Sequence, residues 1–424
     1  DRSLTAAAVA TPGRFASLDT IRGVAVMGIF SVNVVAFAMI FPAYFNPGAF
    51  GGHSGANLVL WLANHVVIDG KMRALFSMLF GASMLLVIDR AEASGESPAR
   101  VHYRRMAVLL LFGLFHFYVI WHGDILASYA LTGMVAFGFH RCAIKTLLRW
   151  AIGLMAVSTL MFGAMSAGLY QSDIAAHRPN AAAKDVRQWN EMASIAIRPT
   201  PANALETRMA RADVVTRTMH MLTDRGGEPF ASALAFMPTT LALMLFGMAG
   251  YRSGFLTGAW DDRRYRRIAL WALGLGAAAT LTLALWLIGR NFYIPLIVFN
   301  MLVIGQPIQL VMAGGYAALI ILLSRRQGAI ATRVAAVGRV AFSNYLGTSI
   351  LGALIFYGDG LGLFGTVSRF QAWLFVPLIW LIMLAWSKPW LDRFRYGPLE
   401  WLWRSLSRLE WQPMRKRAAT HRAA

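Results

Sequence analysis

The 424-residue chain has one cysteine, Cys142, which rules out an intrachain disulfide and a cysteine-based metal cluster. Charge is scarce as well. Asp, Glu, Lys and Arg make up 14% of the residues against 57% hydrophobic ones, a balance that excludes an ordinary water-soluble globule. Acidic residues are the scarcest, 20 against 40 Lys plus Arg, for a formal net charge of +20. The basic residues lie between apolar runs and in the C-terminal tail rather than on one face, so they read as topology signals and nucleic acid is not an expected partner. The alternating pattern of a membrane β-barrel is missing, as are an internal repeat and a low-complexity tract. The first long apolar run begins after Arg22 and lacks a small-residue cleavage site, so no cleavable signal peptide is expected.

What the chain does have is apolar runs near twenty residues long, each able to cross about 30 Å of hydrocarbon as a helix. The expected fold is therefore all-α, a polytopic membrane helical bundle. Ten spans are predicted, at 22–41, 71–88, 106–121, 125–139, 150–170, 231–250, 268–288, 295–323, 337–357 and 370–387. The mixed stretch "ANLVLWLANHVVID" at 56–69 reads as a helix in or beneath the membrane interface. Basic loops at 89–105, 140–149, 251–267 and 324–333, with the tail after Lys388, put both termini in the cytoplasm. The long, charge-balanced segment 171–230 is expected outside as a partly helical cap. It divides the chain into an N-terminal tail (1–13), an N-terminal membrane half (14–170), the cap, a C-terminal membrane half (231–390) and a basic tail with an interfacial helix (391–424). In "NMLVIGQPIQL", Pro307 lacks an N–H and Gly305 loosens the preceding turn, which predicts a break there. Asn300, Gln306 and Gln309 then either face the bundle interior or bond the freed carbonyls.

Ionisable groups inside these runs are the natural candidates for chemistry, because membrane-depth polarity is costly. "LLFGLFHFYVIWHGDILASYALTG" carries His116 inside a span, with His122 and Asp124 at its outer rim. His titrates near neutrality, as a general base requires, while Asp124 could equally serve the first turn of the following helix. At the same level "NHVVIDGKMRALFSMLFG" brings His65, Asp69, Lys71 and Arg73 together, either as a charged funnel for substrate or as snorkelling side chains. The histidines 53, 65, 116 and 122 show no HExxH-type spacing, so no metal is expected. At the cytoplasmic end, Asp19 and Arg22 sit one helical turn apart, a spacing that suits an ion pair. Arg22, Arg104, Arg105, Lys145 and Arg339 form a basic collar that suits anionic lipid headgroups or a phosphorylated cofactor.

Five stretches, "SLDTIRGVAVMGI" followed by "VN", "LFSMLFG", "GLFHFYVIWHGDILASYALTG", "VGRVAFSNYL" and "YGPLEWLWR", in that order resemble the signatures of the YeiB-like bacterial membrane proteins. On that resemblance Asp19, Arg22, Asn33, Lys71, His116, Gly123, Asp124, Tyr129, Arg339, Asn344, Tyr345, Glu400 and Arg404 occupy motif positions. Glu400 and Arg404 lie i, i+4 in a helix that Trp401 and Trp403 make amphipathic, a structural dock. That family is a domain of unknown function. More distantly, the first helix and the "LFG" second helix are similar to heparan-α-glucosaminide N-acetyltransferase and other transmembrane acyltransferases. The likeness implies a histidine after the first helix, for which His53 and His65 are the nearest counterparts, neither in a matching motif.

The function expected from these readings is transfer of an acyl group from cytoplasmic acyl-CoA or acetyl-CoA to a hydroxyl or amine of an extracytoplasmic glycan, lipid or small molecule. His116 is the expected base or acyl carrier, Asp124 orients it, and Asn33 or Asn344 donates to the oxyanion. Asp19, Arg22, Arg104, Arg105 and Arg339 are expected to bind the cofactor, and Asp69, Lys71, Arg73, His122, Tyr129 and Gln306 the acceptor. His53 and His65 are alternative catalytic residues. Membrane lipids are further partners, and a homodimer is compatible with the sequence. A transporter or lipid-handling protein without covalent chemistry is the alternative.

Overall fold

The computed structural model describes residues 16–197, 201–326 and 328–416; the expected tail 1–13 and the end of the basic tail lie outside them. The described chain is helical throughout, in the order α1 (Ala16–Ala38), α2 (Pro42–Phe45), α3 (Gly55–Val67), α4 (Lys71–Ala93), α5 (Pro98–Phe115), α6 (Leu126–Ala136), α7 (Ile144–Ala176), α8 (Ala183–Ile197), α9 (Pro201–Arg211), α10 (Val214–Asp224), α11 (Glu228–Arg252), α12 (Asp262–Gly289), α13 (Ile294–Val298), α14 (Gly305–Arg325), α15 (Ala329–Arg339), α16 (Ala341–Phe356), α17 (Arg369–Trp373), α18 (Phe375–Arg393) and α19 (Pro398–Arg408). Among the described residues eight helical stretches are long and apolar enough to cross a membrane. The other two of the ten predicted spans coincide with shorter apolar helices, Leu126–Phe139 and Ala341–Phe356.

Local sequence sets the helix ends. Ser97 accepts the Arg100 N–H, and Pro98 in the first turn needs no donor of its own, so α5 starts there. Asp261 caps α12 in the same way through Arg264. Gly70, at φ +72°, makes the bend from α3 into α4, a conformation in which a side chain is strained.

α1 is the spine, buried along most of its length in the largest apolar cluster. It meets α15 where two glycines face backbone: a methyl on Gly338 would overlap the Asp19 carbonyl, and one on Gly23 the Val334 carbonyl. The α4–α11 crossing is alike, with Gly247 against the Met78 carbonyl and Gly81 against that of Met244. Within lipid, where tails are as apolar as leucine, such close backbone approach is a main source of helix association.

The interruptions differ from those expected. The chain does not break at Gly305–Pro307. A π-helical turn over Phe299–Ile304 absorbs the loosened register, and Pro307 falls in the first turn of α14, where its missing N–H costs little. The real break lies in the predicted 337–357 span, at Val340, which separates α15 from α16 with non-helical angles (φ −113°, ψ 35°). Segment 171–230 is helical in α8 to α10 and packs on one end of the bundle, here the cap end. There Gly358 donates to Ala210, Arg211 to the Phe364 carbonyl at 3.1 Å, and Arg217 pairs with Asp359 at 2.8 Å. The opposite end, which carries α19 and most of the arginines, is the tail end.

Gly338→Ala is expected to destabilise the α1–α15 contact by about 1–3 kcal/mol, the usual range for overpacking. Gly274→Ala on the open face of α12, where a methyl meets nothing within 4 Å, serves as the neutral control. Thermal unfolding of the detergent-solubilised proteins distinguishes the two, and equal midpoints would refute the close-packing account.

Candidate functional site

The last turn of α5 widens into a π-helical turn, His116–Ile120, closed by the Trp121 N–H to the His116 carbonyl at 2.8 Å. The widening leaves His116 with no exposed surface. Its Nδ1 lies 2.8 Å from Asp124 Oδ1. The other carboxylate oxygen accepts the Ala127 N–H at 2.7 Å, which satisfies one orphan donor of the α6 first turn. Asp124 therefore serves a helix start and contacts a histidine at once. A carboxylate only accepts, so Nδ1 donates to it, and in the neutral ring Nε2 then carries the lone pair. Nε2 is buried with no hydrogen-bond partner among the described residues. Gly123 makes room for this turn, because a side chain there would overlap the Trp121 ring, which stacks on Phe37 at 4.1 Å.

His122 lies beside Phe41 under the cap, and burial pushes its basicity down to about 3, with Arg225 adding to the effect. It is neutral at pH 7.

A cavity of about 400 Å³ occupies the tail half of the bundle. Its inner end is formed by Phe76, Leu126, Tyr129 and Tyr345, and its tail end carries Arg22, Arg90, Arg105, Arg339, Arg395 and Arg404. His116 stands one ring behind the inner wall, 5.3 Å from Tyr345 between ring centroids. The Tyr345 hydroxyl is buried facing the Ile125 backbone N–H, and its proton meets no acceptor among the described residues. Tyr129 bonds Ser77 at 2.6 Å. Asp19 and Arg22 make the i, i+3 pair at 3.3 Å, and Arg22 also donates to Ser83 at 2.6 Å, which ties α1 to α4 along the cavity wall. Arg104 is exposed beside the cavity mouth rather than in it, and Lys145 is exposed on α7.

The break at Val340 is completed from α19. Glu400 Oε1 accepts the N–H groups of Phe342 and Ser343 at 2.8 and 3.1 Å, and Oε2 accepts the Ser343 hydroxyl at 2.5 Å. Burial raises the Glu400 pKa, while these donors pull it the other way. Glu400 thus turns inward as a cap, and the Arg404 guanidinium lies over Tyr396 at 4.6 Å. Asn344 closes the other side of the break. Its Nδ2 donates to Val337 and Ser387 at 3.1 and 3.2 Å, and its Oδ1 accepts from Trp386 at 2.8 Å. Both amide protons are committed, which leaves none for an oxyanion.

The charged funnel expected at 65–73 is an inward-facing cluster instead. Lys71 is almost fully buried and donates to the His65 carbonyl, so it neither snorkels nor lines an opening. His65 lies 3.7 Å from Asp69 and stacks under Trp61 at 5.0 Å. Arg73 is half-buried and offers its carbonyl to Tyr129 and Ser77. His53 is exposed, Asn33 is half-buried on α1, and neither the cavity lining nor the dyad includes them. Asn300 is bonded to the Leu283 carbonyl at 3.1 Å, and Gln306 is buried with neither amide atom partnered among the described residues. Among the described residues no three His, Cys, Asp or Glu side chains cluster as a metal site would need.

Sequence reading overlooked Arg90, Arg395, Arg404 and Trp403 as cavity residues. The last three reach the mouth because the tail doubles back, held by the Phe394–Arg415 bridge, and no periodicity announces that.

The chain is 30% identical to the uncharacterized protein YxaH of Bacillus subtilis, over 96% of this chain and 97% of that protein. It is likewise 30% identical to the uncharacterized protein YeiB of Escherichia coli K12, over 93% and 96%. An uncharacterized 39.9 kDa protein in the amylase 3′ region of Bacillus acidopullulyticus matches at 24%, over 94% and 95%. Residues 250–410 match the family described as "Protein of unknown function (DUF418)". No solved structure matches. No named relative carries an acyltransferase description.

The cap that roofs the dyad is held partly by Glu206, which accepts the Phe41 N–H at 2.9 Å. Burial raises its carboxyl to about 7. A folded-state pKa above the unfolded value means that this contribution is fully present below about 4.5 and is lost as pH rises through about 7. Hydrogen exchange, corrected for intrinsic rate, should show α9 less protected at pH 8 than at pH 5.5, and Glu206→Gln should abolish the difference. Equal pH dependence in both proteins would contradict this account.

Proposed function

The chain belongs to the family of YeiB and YxaH, and from that membership and the geometry above we propose that it is a membrane acyltransferase. An acyl-CoA or acetyl-CoA enters from the tail end, taken as cytoplasmic, and the acyl group passes to a hydroxyl or amine presented at the cap end. The observation that carries the reading is the buried His116–Asp124 pair at 2.8 Å with Nε2 unpartnered, set behind the inner wall of an apolar cavity whose mouth is lined with arginine.

In this reading the arginines hold the carrier's phosphates, Arg22 and Arg339 on one side and Arg105 on the other. The cavity takes the thioester arm. Nε2 removes the acceptor's proton as its oxygen or nitrogen bonds the thioester carbon. The carbonyl electrons move to oxygen, then return as the C–S bond breaks, and the thiolate takes the proton back from the imidazolium. Asp124 is a positioning residue: it fixes the tautomer and stabilises the transient cation. Tyr345, whose hydroxyl proton meets no acceptor among the described residues, replaces Asn344 as the oxyanion donor.

A transport or lipid-handling role is the second reading, favoured by the break at Val340 beside the cavity, since interrupted helices commonly frame substrate sites in transporters. Purified protein given labelled acyl-CoA separates the two. Transfer predicts thioester loss that His116→Ala lowers by about 10²–10⁴-fold, with Asp124→Asn also impaired and its pH profile displaced. An intact thioester together with uptake into proteoliposomes would overturn transfer in favour of transport.

A further inference from the structure

A second chamber, of about 450 Å³, opens at the tail end between the end of α4, the turn that follows it, the start of α5 and α19. Six arginines line it: Arg90, Arg100, Arg104, Arg105, Arg404 and Arg408. Against them stand only Glu96 and Glu410. The ion pair of Arg408 with Glu96 across the chamber is long at 4.0 Å and exposed, so it neutralises little. Arg90, Arg105 and Arg404 line both this chamber and the deeper cavity, so the two share a wall and behave as one pocket with a basic vestibule and an apolar interior.

Topology alone does not call for this arrangement. Positive-inside bias needs basic residues in a loop, with no regard to which way they face. Here residues from 90–105 and from 404–408, some three hundred positions apart, converge on one concavity. Arg105 is held in place over the Trp403 ring at 4.3 Å, while the Trp403 indole N–H donates to the Arg105 carbonyl at 2.9 Å. Arg100 and Arg104 lie i, i+4 on α5. A concave surface of one sign, walled by low-dielectric protein, concentrates its field on whatever anion enters. Guanidinium groups suit phosphate, which they can grip through two parallel hydrogen bonds.

We propose that the vestibule binds a phosphorylated head group with at least two negative charges, carried by the ligand whose apolar arm fills the cavity. This rests on the preceding reading only in naming the carrier's charged end, and it requires no chemistry at His116. The head group belongs either to a soluble thioester carrier or to an anionic lipid, and the experiment distinguishes these sources.

The full chain in nanodiscs of neutral phosphatidylcholine is titrated with inorganic pyrophosphate and, separately, with coenzyme A. The double variant Arg100→Gln/Arg408→Gln removes two exposed residues that line only the vestibule, so the bundle should fold normally. Lys145→Gln, a basic residue at the same end but outside the chamber, is the control. Pyrophosphate is expected to bind, to weaken with added salt, and to bind about tenfold or more weakly in the double variant, with no change in the control. Loss of pyrophosphate binding in phosphatidylglycerol nanodiscs would name the lipid headgroup as the source and support the site. Absence of pyrophosphate binding, or binding indifferent to the double variant, overturns it. Coenzyme A bound equally by wild type and double variant sinks the vestibule but leaves acyl transfer standing; Arg-dependent pyrophosphate binding with no coenzyme A binding does the reverse.

Discussion

A helix that breaks out of reach of water must find partners for its freed backbone groups within the protein. The break at Val340 meets this demand with Glu400 on one side and Asn344 on the other. The consequence reaches beyond one helix start. Because Glu400 comes from α19, the C-terminal helix is fastened against α5 and α16, and its Trp403 and Arg404 become part of the cavity mouth. Removing the break would free Glu400, yet a buried carboxylate without donors is costly, so cap and break require each other.

The π-helical turn after α5 follows the same logic on a smaller scale. An extra residue in the turn costs regular hydrogen bonds, and its use here is to swing His116 inward while Trp121 closes against Phe37. The turn at Phe299–Ile304 does the equivalent for Asn300, which reaches the Leu283 carbonyl. In both places a polar side chain sits where the helix departs from α geometry, as π-bulges at functional sites often do. Gln306 is the unresolved member of the set, buried with an amide that nothing in the described structure satisfies.

What the sequence made legible follows from period and cost. Apolar runs of twenty residues are unambiguous, and the eight long helices fall where they were expected. His116 and Asp124 were identifiable because ionisable groups are rare at that depth, and eight residues of separation across a Gly turn brought them within reach. Proline misled at 307: it marks a loosened register, but whether the chain breaks or merely widens depends on what packs alongside, which sequence does not state. Lys71 misled in the opposite sense. A lysine at a helix start reads as snorkelling, and only the Gly70 bend, which aims it at the His65 carbonyl, makes burial preferable. Glu400 was legible as part of a docking helix but not as a cap, and Asn344 looked like a catalytic donor, because Phe342 and Ser343 lie nearly sixty positions from the first and Trp386 and Ser387 about forty from the second.

The strongest link between the two halves of the molecule is Tyr345. It stands one helical turn past the N-terminus that Glu400 caps, lines the inner end of the cavity, and packs its ring against His116. A shift of α16 at its capped start would therefore move a wall that the cavity and the dyad share. The sequence of dependence runs from α19 through Glu400 to α16, then through Tyr345 to His116. An anion held at the mouth, as proposed, would touch the first of those elements directly, since Arg404 and Trp403 are one turn from Glu400. Occupancy of the mouth and the position of the imidazole are thus connected through contiguous packed groups, which is the physical requirement for one to influence the other.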